Sequence, residues 1–186
     1  IRRPPRSTQS RSSAASDVYK RQDPDPVASA QVLPDKHIVK MPLETCQMLS
    51  IVCSDEWGHS YGKIYRNDGQ PYKTSKGAFR NHPCTIWAND SLANAWWLLT
   101  HGIALSLEYT HRYGKIHSCH RPLLEATHLL PSEDYTKHTP FVFAGPDQFK
   151  HDTTIDIFTA YKYYIASKPW ASDNYLRDPS RKPHWL

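Results

Sequence analysis

The stretch LPDKHIVKMPLE places an aspartate, an imidazole and a glutamate at Asp35, His37 and Glu44, two and then seven residues apart. A carboxylate beside an imidazole can stabilise developing positive charge and move protons. On a helix each residue turns about 100°, so residues seven apart return to within about 20° of one another. With His37 at zero, Glu44 falls at about 340°, Lys40 at about 300°, Gln47 at about 280° and Lys36 at about 260°. Val39, Met41, Leu43, Cys46, Met48, Leu49 and Val52 cover nearly all the rest. The pattern predicts a mostly buried helix with a narrow polar strip open to a cleft. The same strip is also what an ordinary Lys–Glu helix face looks like. Pro42 lies inside this helix and leaves the Ile38 carbonyl without its usual donor, a cost of about 3 kcal/mol in a free helix.

Two further clusters carry chemistry. His82 with Cys84, and His117 with Cys119 and His120, are zinc-compatible donors. Neither has a zinc-finger spacing, and no metal site is expected. His82 reads otherwise as a polar group at a helix N-terminus, and His117 as a solvent-exposed residue. EYTHRYGKIH, with Arg112 and Lys115, and AYKYYIASKPW alternate aromatic and basic residues. Such interleaving suits phosphate contacts with base stacking, and equally packed tyrosines with lysines lying along them.

These residues need helices to position them. DPDPVASAQVLP reads as a turn into a short helix, and Asp35 as the N-cap of a helix reaching about Ser54. Residues 55–83 lack helical periodicity and form a long excursion with a short hairpin at RNDGQ. Asn81–Asn89 begins helical structure with Pro83 in its first turn. Trp87 serves architecture there, and Asn81 and His82 are candidate cleft residues. Ser91 caps SLANAWWLLTHGIALSLEYTHRYG, the strongest and most central helix. A short helix over 121–130 and a last one in TTIDIFTAYKYYIASK follow, then an irregular aromatic and basic tail from Pro169. No period-2 run of any length appears, so the expected class is all-α: a single compact helical domain, 23–186, with long irregular loops.

Residues 1–22, IRRPPRSTQSRSSAASDVYKRQ, have too little apolar surface to order themselves and are expected to lie outside the fold. They resemble translated sequencing-adapter read-through of the kind found at the edges of metagenomic gene models, which would put the genuine chain from about Asp23. They hold six of the 23 Lys and Arg residues and one of the 18 Asp and Glu residues, leaving 17 of each sign in the remainder. The net charge of +5 and the pI of about 9.0 therefore say nothing about a nucleic-acid partner. Cys46, Cys53, Cys84 and Cys119 show no CxxC spacing and read as buried thiols of a reducing compartment. No apolar run approaches a membrane span.

The Leu-x-Asp-x-His pattern followed by Glu44 resembles the early helix of endonuclease V, the pyrimidine dimer DNA glycosylase family with abasic lyase activity. DKHIVKMPLETCQML, NHPCTIWA and EYTHRYGKIH resemble uncharacterised phage and bacterial members, over about Asp23 to His120. The resemblance implies an N-terminal α-amine that attacks the sugar C1′, and Glu44 as catalytic carboxylate with His37 and Asp35 beside it. It implies duplex DNA with a damaged or modified base as partner, no cofactor, and a monomer in the cytoplasm of a bacterium or phage-infected host. The family's arginines flanking the glutamate are replaced by Leu43 and Gln47. Phosphate and lesion contacts are then expected from Lys36, Lys40, Lys73, Lys76, Arg80, His82, Arg112 and Lys115. The amine is expected upstream of Asp23. Base or nucleotide modification on the same scaffold, and a non-catalytic DNA-binding module, are the alternatives.

Overall fold

Apolar residues recurring at three and four make one long helix the axis of the protein, as the computed structural model shows for residues 23–55, 59–74, 79–150 and 154–186. This helix, α4 (Leu92–Tyr113), starts where Ser91 Oγ accepts from the Asn94 N–H at 3.1 Å. It ends at Gly114, which has φ 65° and donates its N–H to the Thr110 carbonyl. A residue with a Cβ is disfavoured in that left-handed turn. Trp97, Leu98, Leu99 and Leu105 on α4 are fully buried.

The other helices arrange themselves on it. These are α1 (Pro26–Gln31), α2 (Asp35–Val52), α3 (Pro83–Asp90), α5 (His120–Ala126) and α6 (Ile157–Ala166). Of these, α1, α2, α3 and α5 pack on α4. α2 comes closest at Gly102, where an added Cβ would overlap Thr45 Cγ2 and stand 3.2 Å from Leu123 Cδ2. α2 runs unbroken through Pro42, supported by buried Ile38, Met41, Met48 and Leu49. The described residues form an almost entirely helical domain with long loops and no strand; their sole ladder is the isolated bridge Tyr65–Pro71. It closes the hairpin expected at RNDGQ, where the Arg66 N–H donates to the Gln70 carbonyl at 2.8 Å. No described helix is long and apolar enough to cross a membrane. The segment 1–22, expected to be disordered, and Lys76, expected to contact phosphate, lie outside the described residues.

The tail after α6 is irregular, as expected, but it is built into the fold. Ala171 and Tyr175 are buried, and the Tyr175 hydroxyl donates to the Val32 carbonyl at 2.6 Å. In AYKYYIASKPW, Tyr161 and Tyr164 are buried and Lys168 Nζ lies 4.4 Å from the Tyr164 ring centre, which is the packing arrangement.

Candidate functional site

The start of α2 is fixed by the far end of the chain. The Asp35 N–H donates to the Asn174 carbonyl and the Lys36 N–H to Asn174 Oδ1, each at 2.8 Å. Asn174 thus does the capping expected of Asp35, because the residue at the cap position is Pro34, which has no side-chain acceptor. Asp35 is the first helical residue instead. Its buried carboxylate accepts from Arg112 Nη1 at 3.0 Å and from the Arg177 N–H at 3.1 Å.

Arg112 was expected at a DNA phosphate. Its side chain is 0% exposed, and it donates to Glu108 at 2.8 Å and to the Leu33 and Gln31 carbonyls at 2.7 Å each, besides Asp35. With its donors spent inside, it ties α4 to the start of α2 and is not placed to meet DNA. Glu108 also accepts from Arg181, Nε to Oε1 at 2.9 Å and Nη2 to Oε2 at 3.1 Å.

Along this anchored helix, the polar strip takes a different form from the one expected. Glu44 is 2% exposed and His37 7%, while Val39 and Leu43 are 45% and 43% exposed. The open arc of α2 therefore runs through Val39, Leu43, Lys36 and Lys40, and His37 and Glu44 sit at its buried edge. Lys40 bridges the two regions, with Nζ 2.7 Å from Glu44 Oε1. The His37 ring meets the edge of Trp170 at a centroid distance of 5.4 Å, and Lys36 Nζ lies 4.5 Å from the centre of the same indole. The structure thus brings His37, Glu44, Lys36 and Lys40 together under a residue of the tail. Such a site offers a low-dielectric carboxylate, a lysine paired with it, and an imidazole lodged against an aromatic wall.

The remaining expected contacts are spread over other faces. Lys73 lines a cleft of about 720 Å³ between the end of α2 and the hairpin, with Lys63, Ser50, Asp55 and Tyr72. Arg80 is half-buried. His82 caps α3, its Nδ1 accepting from the Cys84 N–H at 3.1 Å. Lys115 is exposed just beyond α4. No group of donors able to hold a metal ion occurs among the described residues.

His117, expected to be exposed, is buried. Its Nδ1 accepts from the Cys119 N–H at 3.0 Å, so Nε2 carries the proton and donates to the Val39 carbonyl, also at 3.0 Å. This places it one residue from the carbonyl that Pro42 unpairs. All four cysteines are buried free thiols. The Tyr72 hydroxyl lies 3.6 Å from Cys119 Sγ. A hydrogen bond with Cys46, helped by His117 and Tyr72, makes Cys119 the more acidic of that thiol pair, and Cys46 is pushed up in return. Burial alone pushes the Cys53 thiol up to about 12.

Trp170, Asn174 and Arg177 did not emerge from the sequence as site residues. The aromatic and basic composition of the tail was their only trace.

Residues 20–121, more than half of the chain, match a family model described as pyrimidine dimer DNA glycosylase. No curated protein and no solved structure matches the chain.

Proposed function

The chain belongs to the pyrimidine dimer DNA glycosylase family, and we propose from that premise that it excises damaged or modified pyrimidines from duplex DNA and cleaves the resulting abasic site, with Glu44 as the catalytic carboxylate. The observation that carries this reading is the Lys40–Glu44 pair, a carboxylate buried to 2% whose cation is itself exposed to an incoming strand. An amine attacks the sugar C1′ as the bond from C1′ to the base breaks. The base leaves with its electron pair and takes up a proton. Glu44 stabilises the positive charge that develops on the sugar, an effect enlarged by the low dielectric around it. The sugar ring then opens: the bond from C1′ to O4′ breaks, O4′ takes up a proton given up by the attacking amine, and the nitrogen lone pair completes the imine at C1′. Removal of the C2′ proton, assisted by Glu44, then expels the 3′ phosphate.

His37 is assigned to orient Glu44 against the Trp170 wall, and Asp35 to hold the helix that carries both. Lys36, Lys40 and Lys115 are assigned to phosphates, with Lys73, Arg80 and His82 extending the contact past the end of α2. The protein is proposed to work as a monomer without a cofactor.

Borohydride reduction on an abasic duplex is expected to trap a covalent protein–DNA complex. Bound DNA without trapping, and with a heavier intact base by mass spectrometry, would move the assignment to base modification. Bound DNA with neither outcome would leave a binding module.

A further inference from the structure

The two most exposed large apolar side chains among the described residues are Ile116, at 76%, and Leu176, at 80%. Each is next to a cation, Lys115 and Arg177. Single exposed aliphatic residues are ordinary on protein surfaces. These two differ because the residues next to them belong to one connected set of ring contacts.

Leu176 and Arg177 line a groove of about 360 Å³ together with Lys36, Val39 and Tyr113. Ile116 precedes His117, whose Nε2–H donates to the Val39 carbonyl at 3.0 Å. Val39 of α2 therefore adjoins both segments, lining the groove with Leu176 and accepting from the residue after Ile116. The Arg177 guanidinium lies 4.8 Å from the centre of the Tyr113 ring, Tyr113 stacks on Tyr109 at 4.8 Å, and Tyr109 meets the His117 ring at 4.8 Å. The Arg177 N–H is also held by Asp35. Both side chains thus rise from a backbone pinned to the same aromatic ladder.

Cations outnumber carboxylates around them: Asp173 is exposed and lines a second groove beside Leu176, with Lys182 in the same groove. Lys36, Lys40, Lys115 and Arg177 are exposed, whereas the carboxylates of α2 on this side, Asp35 and Glu44, are buried against Arg112 and Lys40. An apolar pair flanked mainly by cations matches a polyanion whose interior is apolar and stacked. Side chains of this type enter base steps from the minor groove while flanking cations hold the backbone.

We propose that Ile116 and Leu176 are paired wedges that enter the minor groove of the bound duplex and unstack a base step beside the Glu44 site. This rests on the reading of the protein as a DNA-acting enzyme.

The probe is a duplex carrying 2-aminopurine next to a reduced, uncleavable abasic site. Binding is followed by anisotropy across a salt series, and cleavage is measured separately on an ordinary abasic duplex. Wild-type protein is expected to raise the 2-aminopurine fluorescence on binding. The double variant Ile116→Ala/Leu176→Ala is expected to bind with the same salt slope and leave the fluorescence at the free-duplex level. Its melting temperature should match wild type, since both side chains are exposed. Lys115→Ala is expected to lower the salt slope by about one unit and keep the fluorescence rise once bound. Equal unstacking by the double variant would overturn the proposal. So would self-association of wild-type protein that the double variant abolishes, since the face would then be covered by a second copy. Cleavage by wild type without any unstacking sinks the wedge and leaves the enzymatic reading intact. Absence of DNA binding sinks both.

Discussion

Lys40 Nζ stands 2.7 Å from Glu44 Oε1, the lysine side chain 44% exposed and the carboxylate 3%. One turn of α2 thus carries a charge from solvent to the interior. Lys40 pairs with Glu44 in the free protein; in the proposed reaction it turns toward a strand phosphate and leaves the carboxylate to face the cation that develops on the sugar.

Removing that cation has a defined sign. Without Lys40 the charged form of Glu44 loses a favourable neighbour, so its proton is held to higher pH. The acidic limb of the pH–rate profile for abasic-site cleavage is expected to move to higher pH in Lys40→Met. A profile that keeps its shape and position would show that Lys40 does not tune the carboxylate.

Gly102→Ala tests the seat of α2. At an open helix position this change adds roughly 0.5–1 kcal/mol of stability. Here the new methyl would overlap Thr45 Cγ2 and crowd Leu123, so a loss of about 1–3 kcal/mol is expected in urea unfolding. A stabilised variant would mean that α2 yields without cost.

Arg112→Met leaves Asp35 buried without its guanidinium and takes from Glu108 one of its two. Removing one member of a buried ion pair costs about 3–5 kcal/mol. The measurement is the urea midpoint at pH 7. A change near zero would put Arg112 outside the anchoring of α2 and restore it as a surface contact.

Cys53 gives stability a slope at high pH. Its folded value of about 12 lies above that of an exposed thiol, so the unfolded chain gives up its proton first. The contribution is complete below the unfolded value, near 8.5. It falls by about 1.4 kcal/mol per pH unit as pH rises from there toward 12. Unfolding free energies of wild type and Cys53→Ala, compared between pH 8 and 11, are expected to converge upward in pH. A constant difference would mean that the thiol titrates normally in the folded protein.

What the sequence disclosed, and what it hid, follows from the range of the interactions. α4 was legible because its apolar spacing, Ser91 and Gly114 are local features, and α2 for the same reason. The likeness placed over about Asp23 to His120 agrees with the family match over residues 20–121. Asn174 capping a helix 138 positions away has no local signature. Arg112 was misplaced because a basic residue among tyrosines looks the same from the sequence whether it points to solvent or to Asp35. The helical wheel identified the polar residues of α2 correctly. It could not show that the tail, through Trp170, covers His37 and leaves Val39 and Leu43 open.

The most direct measurement is single-turnover strand cleavage of an abasic duplex by Glu44→Gln, with affinity for the uncleaved duplex measured alongside. The substitution preserves the side-chain shape and removes its charge. The account predicts that cleavage is abolished while affinity stays within a few-fold of wild type. Cleavage at the wild-type rate would contradict the central claim that Glu44 carries the chemistry.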